Sequence, residues 1–349
     1  SIKQCFILNI IMDNILRQIT EKKQKLDKFK PLPQELVKNL EEWLKIELTY
    51  SSNAIEGNTL SRIETAEVIE RGTAAVISGK SLKDQLEAIN HAKAVDFIKQ
   101  LAKELKSHQS IKELVILDIH KIILTGINDD WVGKYRRTEV FIRGSNAEFP
   151  MPNTIPYAMK KFISWLEGQQ EEHPVKIAAD AHFKFVSIHP FIDGNGRTTR
   201  LLMNLILLLN GYPMAIIRNE DRITYLNSFE TERNQHDLKP FYELILAAVD
   251  RSLDIYLNVA EGKKQVLKGF ESTSGNLLKI GELAKITGET IHTLRYWTKE
   301  GLLAVADYTQ GGYQLYSPDT APRVKQIRKL QQEKRLTIEE IKEALKINR

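Results

Sequence analysis

The chain has 349 residues, 42% hydrophobic and 27% charged, an ordinary globular balance with room for two or three domains and a sizeable core. A net charge of +5 is too mild by itself to argue for nucleic acid, and the single cysteine, Cys5, excludes an intrachain disulfide and suits a reducing cytoplasm. Phe6 to Ile11 is too short to cross a bilayer, no small-residue cleavage site follows it, and Asn204 and Asn210 interrupt the leucine-rich run, so the expectation is a soluble cytoplasmic protein with no membrane partner.

The first residues read as an amphipathic helix. Leu36 to Ile55 repeats apolar residues at three and four, and Gly57 follows as a stop. Leu82 to Leu105 and Ile111 to Leu124 repeat the pattern. After the break at "GINDDWVGKYRR", Val140 to Ile142 followed by "RGSNAEFPMP" predicts a short strand and turn. Ile155 to Leu166, Val175 to Ser187, Thr198 to Leu209, Arg222 to Glu232 and Pro240 to Ala260 all read as helices, so the fold class is mainly α. The expected organisation is an N-terminal helical region (1–110), a core (111–260), a polar linker (261–276) and a small C-terminal domain (277–349). From Asn276 onward there are 13 Lys and Arg against 9 Asp and Glu, so most of the excess charge sits in this tail.

"HPFIDGNGRTTR", His189 to Arg200, concentrates the chemistry. Gly194, Asn195 and Gly196 allow backbone conformations in which successive amides converge on an anion. The helix that follows adds its free N–H groups and dipole. Arg197 and Arg200, three apart, can face the loop and bind phosphate oxygens bidentately. Asp193 supplies an oxygen suited to Mg²⁺, which is typically held by one or two carboxylates plus substrate phosphates. His189 can take a proton from a hydroxyl near neutral pH. The apolar "LLMNLILLL" behind the loop reads as a buried, rigid mount.

These residues meet every fixed position of the Fic-family signature, His-x-Phe-x-(Asp/Glu)-Gly-Asn-Gly-Arg-x-x-Arg, and the resemblance runs from about Leu36 to Ala260. It implies a helical core with a β-hairpin flap. It implies transfer of AMP from ATP to a Ser, Thr or Tyr hydroxyl of a protein, possession of a target protein that includes the chain itself among the candidates, and a homo-oligomer. In that frame His189 is the general base, Phe191 fixes the loop from the core, and Asp193 binds Mg²⁺. Gly194 to Gly196 hold phosphates, with side-chain contacts from Asn195, and Arg197 and Arg200 bind the outer phosphates. "GKYRRTEVFIRG" resembles the flap; Ile142, Arg143, Gly144 and Ser145 pin the target peptide by strand-like bonds and shield the nucleotide. Tyr225 and Asn234 lie near the adenosine, and Leu226 departs from an aromatic in some relatives.

"SSNAIEGNTL" places Ser52 and Glu56 four apart on one helical face, with Gly57 ending the helix. It resembles the family's inhibitory motif, in which Glu56 pairs with Arg200 and occupies the guanidinium meant for the outer phosphate. The same glutamate in some relatives positions a water that removes AMP, so removal of AMP is an alternative, as is transfer of another nucleotide.

"IGELAKITG" and "TIHTLRYWTKEGLL" read as helix, Gly turn, helix, and "GGYQLY" as a hairpin wing. The stretch resembles the winged helix-turn-helix of MerR-type regulators. That resemblance implies DNA as a partner, with His292, Thr293, Arg295 and Tyr296 on or near the groove-facing helix and Arg295 and Lys299 reaching phosphate. Arg323, Lys325, Arg328 and Lys329 form a basic stripe on the next helix. Gln314 stands where an arginine is common, which removes one phosphate contact, and Trp297 replaces a common tyrosine. A DNA-binding regulator with the core as a nucleotide-responsive switch is the alternative from a different class.

Overall fold

The computed structural model describes residues 2–75, 77–142, 147–262, 278–305, 307–308, 314–317, 320–333 and 336–345. The chain separates into two units, Ser1–Lys263 and Lys264–Arg349. Regions 1–110 and 111–260 share the first unit. All but two residues of the expected linker (263–276) lie outside the described residues.

Ten helices form the first unit among the described residues: α1 (Ile2–Asp27), α2 (Gln34–Ile55), α3 (Arg62–Arg71), α4 (Leu82–Glu104), α5 (Glu113–Leu124), α6 (Ile155–Glu167), α7 (Pro174–Ile188), α8 (Asn195–Leu209), α9 (Arg222–Gln235) and α10 (Lys239–Ala260). The apolar run is their axis. Leu201, Leu202, Met203, Leu205, Ile206 and Leu207 of α8 are all buried, because α4, α5 and α7 pack around them. The polar first turn of α8 therefore stands on a close-packed base that cannot give without opening a cavity. α2 packs on α4 and on the start of α8, and so brings its C-terminus to that turn.

Two local expectations change. Apolar spacing gives no sign of α3; its signal is a capping box, with Ser61 Oγ accepting from the Glu64 N–H and the Glu64 carboxylate accepting from the Ser61 N–H. Among the described residues no strand is found at Val140–Ile142 and no ladder joins it to Ala147–Pro150, and Phe141 is 84% exposed. A short strand with no sheet to join and no core against its face has little to hold it.

The second unit holds β1 (Leu278–Lys279), α11 (Ile280–Thr287), α12 (Ile291–Lys299), β2 (Asp307–Tyr308), β3 (Gln314–Tyr316), α13 (Thr320–Glu333) and α14 (Ile338–Ala344). The strands form an antiparallel sheet in the order β1-β3-β2, with Leu278 opposite Tyr316 and Asp307 opposite Leu315. Gly288, at φ 74°, makes the left-handed turn between α11 and α12. Leu283, Leu294, Trp297, Tyr316, Val324 and Ile327 form its core, so Trp297 is a packing residue.

Candidate functional site

α7 ends at His189, whose left-handed backbone (φ 49°) turns the chain into the loop. Its Nδ1 lies 3.3 Å from the Val186 carbonyl. A carbonyl only accepts, so Nδ1 carries the proton and Nε2 keeps its lone pair. Burial lowers the imidazole pKa from 6.5 to about 4, which leaves the ring neutral at neutral pH. Phe149 lies 4.3 Å from the ring, and Arg136, itself buried, donates to the carbonyls of His189, Thr138 and Pro150. One guanidinium thus ties the base of the loop to the segment around the expected flap.

Phe191 is fully buried and stacks on His120 at 3.6 Å. His120 Nδ1 accepts from the Gly133 N–H, so its Nε2–H donates to the Asp193 carbonyl at 3.1 Å. Burial lowers His120 to about 4, consistent with this neutral tautomer. The Asn195 side chain turns inward: Oδ1 accepts from the Phe191 N–H at 2.9 Å and Nδ2 donates to the Phe191 carbonyl at 2.8 Å. Its amide clamps the loop, with one Nδ2–H and one Oδ1 lone pair committed to the Phe191 backbone.

The helix also starts earlier than its apolar run. Gly194, at φ 78°, is the N-cap, and Thr198 N–H makes the first helical bond to the Gly194 carbonyl. The amides of Asn195, Gly196 and Arg197 are thus the unpaired first turn of α8. A Cβ on Gly196 would lie 2.2 Å from Glu56 Oε1, so glycine there is what lets an anionic oxygen sit on that turn.

The two arginines are both buried and differently held. Arg200 Nε donates to Ser52 Oγ at 3.0 Å, and Nη2 donates to the Ser52 carbonyl at 2.8 Å and to Glu56 Oε1 at 2.7 Å. Burial opposes its charge, but the Glu56 carboxylate and the Tyr225 hydroxyl together outweigh that and raise its pKa. Arg197 Nη1 lies 3.0 Å from Glu87 Oε1, off the N–H axis, and Nη2 lies 3.2 Å from Asp193 Oδ1. Nη1 of Arg200 and both Nε and Nη1 of Arg197 are buried without a hydrogen-bond partner among the described residues, an arrangement that persists only where an anion or water can answer it.

Asp193 also accepts from the Gly194 N–H, and its side chain is 44% exposed. No three His, Cys, Asp or Glu side chains converge on a metal site among the described residues. A lone, accessible carboxylate fits a magnesium ion that takes its other oxygens from phosphates and water. Tyr225 is buried at 2% exposure, with its hydroxyl 3.0 Å from His182 Nε2 and its ring centroid 6.0 Å from the Arg200 guanidinium. It backs Arg200 from the core, with its ring buried against that guanidinium. Asn234, near the end of α9, is exposed, as is Ile142; Arg143, Gly144 and Ser145 lie outside the described residues. Glu87, Arg136 and His120 are the site residues the sequence reading missed.

In the second unit, Arg295, Tyr296 and Lys299 are exposed on α12, while Thr293 is half-buried and shares the cap of that helix with Thr290. A concavity of about 950 Å³ runs beside them, lined by Lys279, Lys285, Arg295 and Lys299. Arg328 does not belong to a solvated stripe: it pairs with Glu289 and lies over the Trp297 ring at 5.0 Å. Gln314 Oε1 accepts from the Tyr316 hydroxyl at 2.8 Å, and Gly311 to Tyr313 of the expected wing lie outside the described residues.

The sequence profile of the Fic/DOC family matches residues 110–207, and that of the MerR HTH family regulatory proteins matches residues 278–347. The chain is 36% identical over 223 residues to a protein adenylyltransferase Fic of Culex quinquefasciatus, covering 63% of this chain and 43% of that protein. It is 37% identical over 210 residues to one of Nematostella vectensis, covering 60% and 48%. It thus spans less than half the length of these curated relatives. No helix among the described residues is long and apolar enough to cross a membrane. Among solved structures, a Fic domain containing signaling protein from Bacteroides thetaiotaomicron VPI-5482 aligns with TM-score 0.63 and 31% identity, over 70% of this chain and 98% of that one. A fragment of Fic-1 from C. elegans aligns with TM-score 0.66 and 30% identity, over 75% and 76%. With nearly the whole of a solved Fic protein matched at that identity, the chain belongs to the Fic/DOC family.

Proposed function

We propose that the first unit is a protein adenylyltransferase, held in check by Glu56. The observation that carries this reading is the seat of the Glu56 carboxylate. It lies on the buried Arg200 guanidinium and against Gly196, on the first turn of α8, where a phosphate oxygen would otherwise sit. The neutral His189 belongs to the same loop. In the step proposed, His189 Nε2 takes the proton of a protein hydroxyl as the oxygen bonds to the α-phosphorus of ATP. The bond from that phosphorus to the bridging oxygen breaks, and pyrophosphate leaves with the electron pair. The first-turn amides of α8 and Arg197 and Arg200 take the phosphate charge. Asp193 would hold Mg²⁺, which supplies further neutralisation of that charge. With Glu56 on Arg200, the outer phosphate loses its partner and the α-phosphorus loses its in-line placement.

The test is incubation with α-labelled ATP and Mg²⁺. Label on protein is expected to be low in the wild type, to rise at least tenfold in Glu56→Gly, and to vanish when His189→Ala is added. Nucleotide bound with no label in any variant would reject the reading in favour of a nucleotide-responsive switch or a different donor.

The second unit supports a separate proposal, binding of DNA through α12. The exposed Arg295 and Lys299, with Lys279 and Lys285 beside them, supply accessible cations to a phosphate backbone. Absence of an electrophoretic shift on duplex DNA at low salt would reject it.

A further inference from the structure

We infer that Glu87 is a pivot shared by Arg197 and by the end of the inhibitory helix, and that Asn58 is the latch that holds Glu56 on Arg200. This rests on the adenylyl-transfer reading. Glu87, on α4, has a side chain only 8% exposed, and each of its two oxygens serves a different element. Oε1 lies 3.0 Å from Arg197 Nη1, and Oε2 accepts from Asn58 Nδ2 at 2.9 Å. Asn58 stands two residues beyond Glu56. Its Nδ2 also donates to the Asp84 carbonyl at 2.9 Å, its Oδ1 accepts from the Leu60 N–H at 3.0 Å, and its backbone N–H donates to the Asn53 carbonyl at 3.0 Å. Every polar group of its side chain is thereby used. Between the two residues only Gly57 intervenes, at φ 94°, a hinge with no side chain to brace it.

The consequence is mechanical. Glu56 is the C-cap of α2, beyond the last full turn, with a side chain 38% exposed. A helix end of that kind frays unless the chain beyond it is tied down. Thr59 Oγ1, which donates to Asp84 Oδ2 at 2.6 Å, and Asn58 tie it to one turn of α4. Because the same turn carries the carboxylate of Arg197, the brake is anchored to the part that positions the machinery it blocks.

Two variants test the latch. Asn58→Ala deletes its bonds, and Asn58→Asp keeps the oxygen that caps Leu60 but sets a carboxylate against Glu87. Hydrogen exchange of segment 54–60 is read first, since it needs no chemistry. At least tenfold faster exchange in both variants, with α8 unchanged, is expected; unchanged exchange overturns the latch whatever the activity. Labelling from α-labelled ATP is read second. Both variants are expected to raise it fivefold or more with Glu56 present, and Asn58→Ala to leave kcat within twofold in a Glu56→Gly background. An equal rise without Glu56, or no rise with it, overturns the role of Asn58 in the brake. For the pivot, Glu87→Gln in the Glu56→Gly background is expected to raise KM for ATP at least fivefold, with a smaller change in kcat; an unchanged KM overturns it. If Glu56→Gly itself carries no label, the adenylyl-transfer reading fails, and the exchange result still decides the latch.

Discussion

Arg200 in the first unit and Arg295 in the second are both candidate partners for phosphate, and the chain treats them oppositely. Arg200 is buried, with Ser52 and Glu56 fixing two of its nitrogens. Arg295 is exposed on α12, one turn from Lys299. A buried guanidinium left without an anion carries a heavy desolvation cost, so a buried phosphate site needs a stand-in whenever the nucleotide is away. Glu56 is suited to be that stand-in, and the inhibition proposed above rests on the same contact. Water satisfies an exposed cation, so no such brake arises in the second unit. Buried cations select one anion geometry; exposed ones answer to charge density and to salt.

The largest effect should come from the base. In the Glu56→Gly background, His189→Ala is expected to lower labelling about 100- to 10,000-fold. Because burial lowers His189 to about 4, the labelling rate should stay flat from pH 8 to near 5 and fall as the pH passes through about 4. An inflection near 6.5 would show a solvated imidazole and break the contrast between the units.

Stability should show the same buried character. His91 and His182 are both lowered from 6.5 to about 3, by burial first and then by the charge of Arg200. The unfolded chain takes up these protons near 6.5, and the folded chain does not until about 3. Their contribution to stability is therefore whole above 6.5 and is lost as the pH falls from there toward 3. Calorimetry of the full chain should give a Tm that falls steadily over that window; a Tm independent of pH between 6.5 and 4 would contradict it.

A smaller effect is expected from Ser52→Ala, which removes one of the two bonds to Arg200 that remain once Glu56 is gone. At about 1 kcal/mol for such a bond, labelling in the Glu56→Gly background should fall roughly fivefold, with KM for ATP rising. The smallest concerns the second unit: Arg295→Ala and Lys299→Ala should each reduce the slope of log affinity for DNA against log salt by about 0.9. A slope unchanged by both would remove α12 as the phosphate-contacting helix.

The pair Glu56–Arg200 was legible because both ends are written locally, one in a four-residue helical spacing and one in a twelve-residue signature. The partners that hold the site are not. His120 meets Asp193 and Arg136 meets His189 across 73 and 53 residues, and no spacing rule connects them. Glu87 looks like one more charge on a polar helix until α4 lies on α8. Tyr225 and Asn195 were legible in the sequence, but their contacts to His182 and to the Phe191 backbone were not, since a helical position does not say which neighbour a polar group meets. Apart from α3, which only its capping box marks, the helices followed their apolar periods, whereas Val140–Ile142 needed a partner strand that no period supplies.

The most direct measurement is the affinity of wild type and Glu56→Gly for ATP and for AMP, with Mg²⁺, by titration calorimetry. If Glu56 occupies the place of the outer phosphate, its removal should tighten ATP at least tenfold and leave AMP, which has no outer phosphate, within twofold. Equal affinities for ATP in the two proteins, or an equal gain for AMP, would contradict the claim that carboxylate and phosphate compete for Arg200.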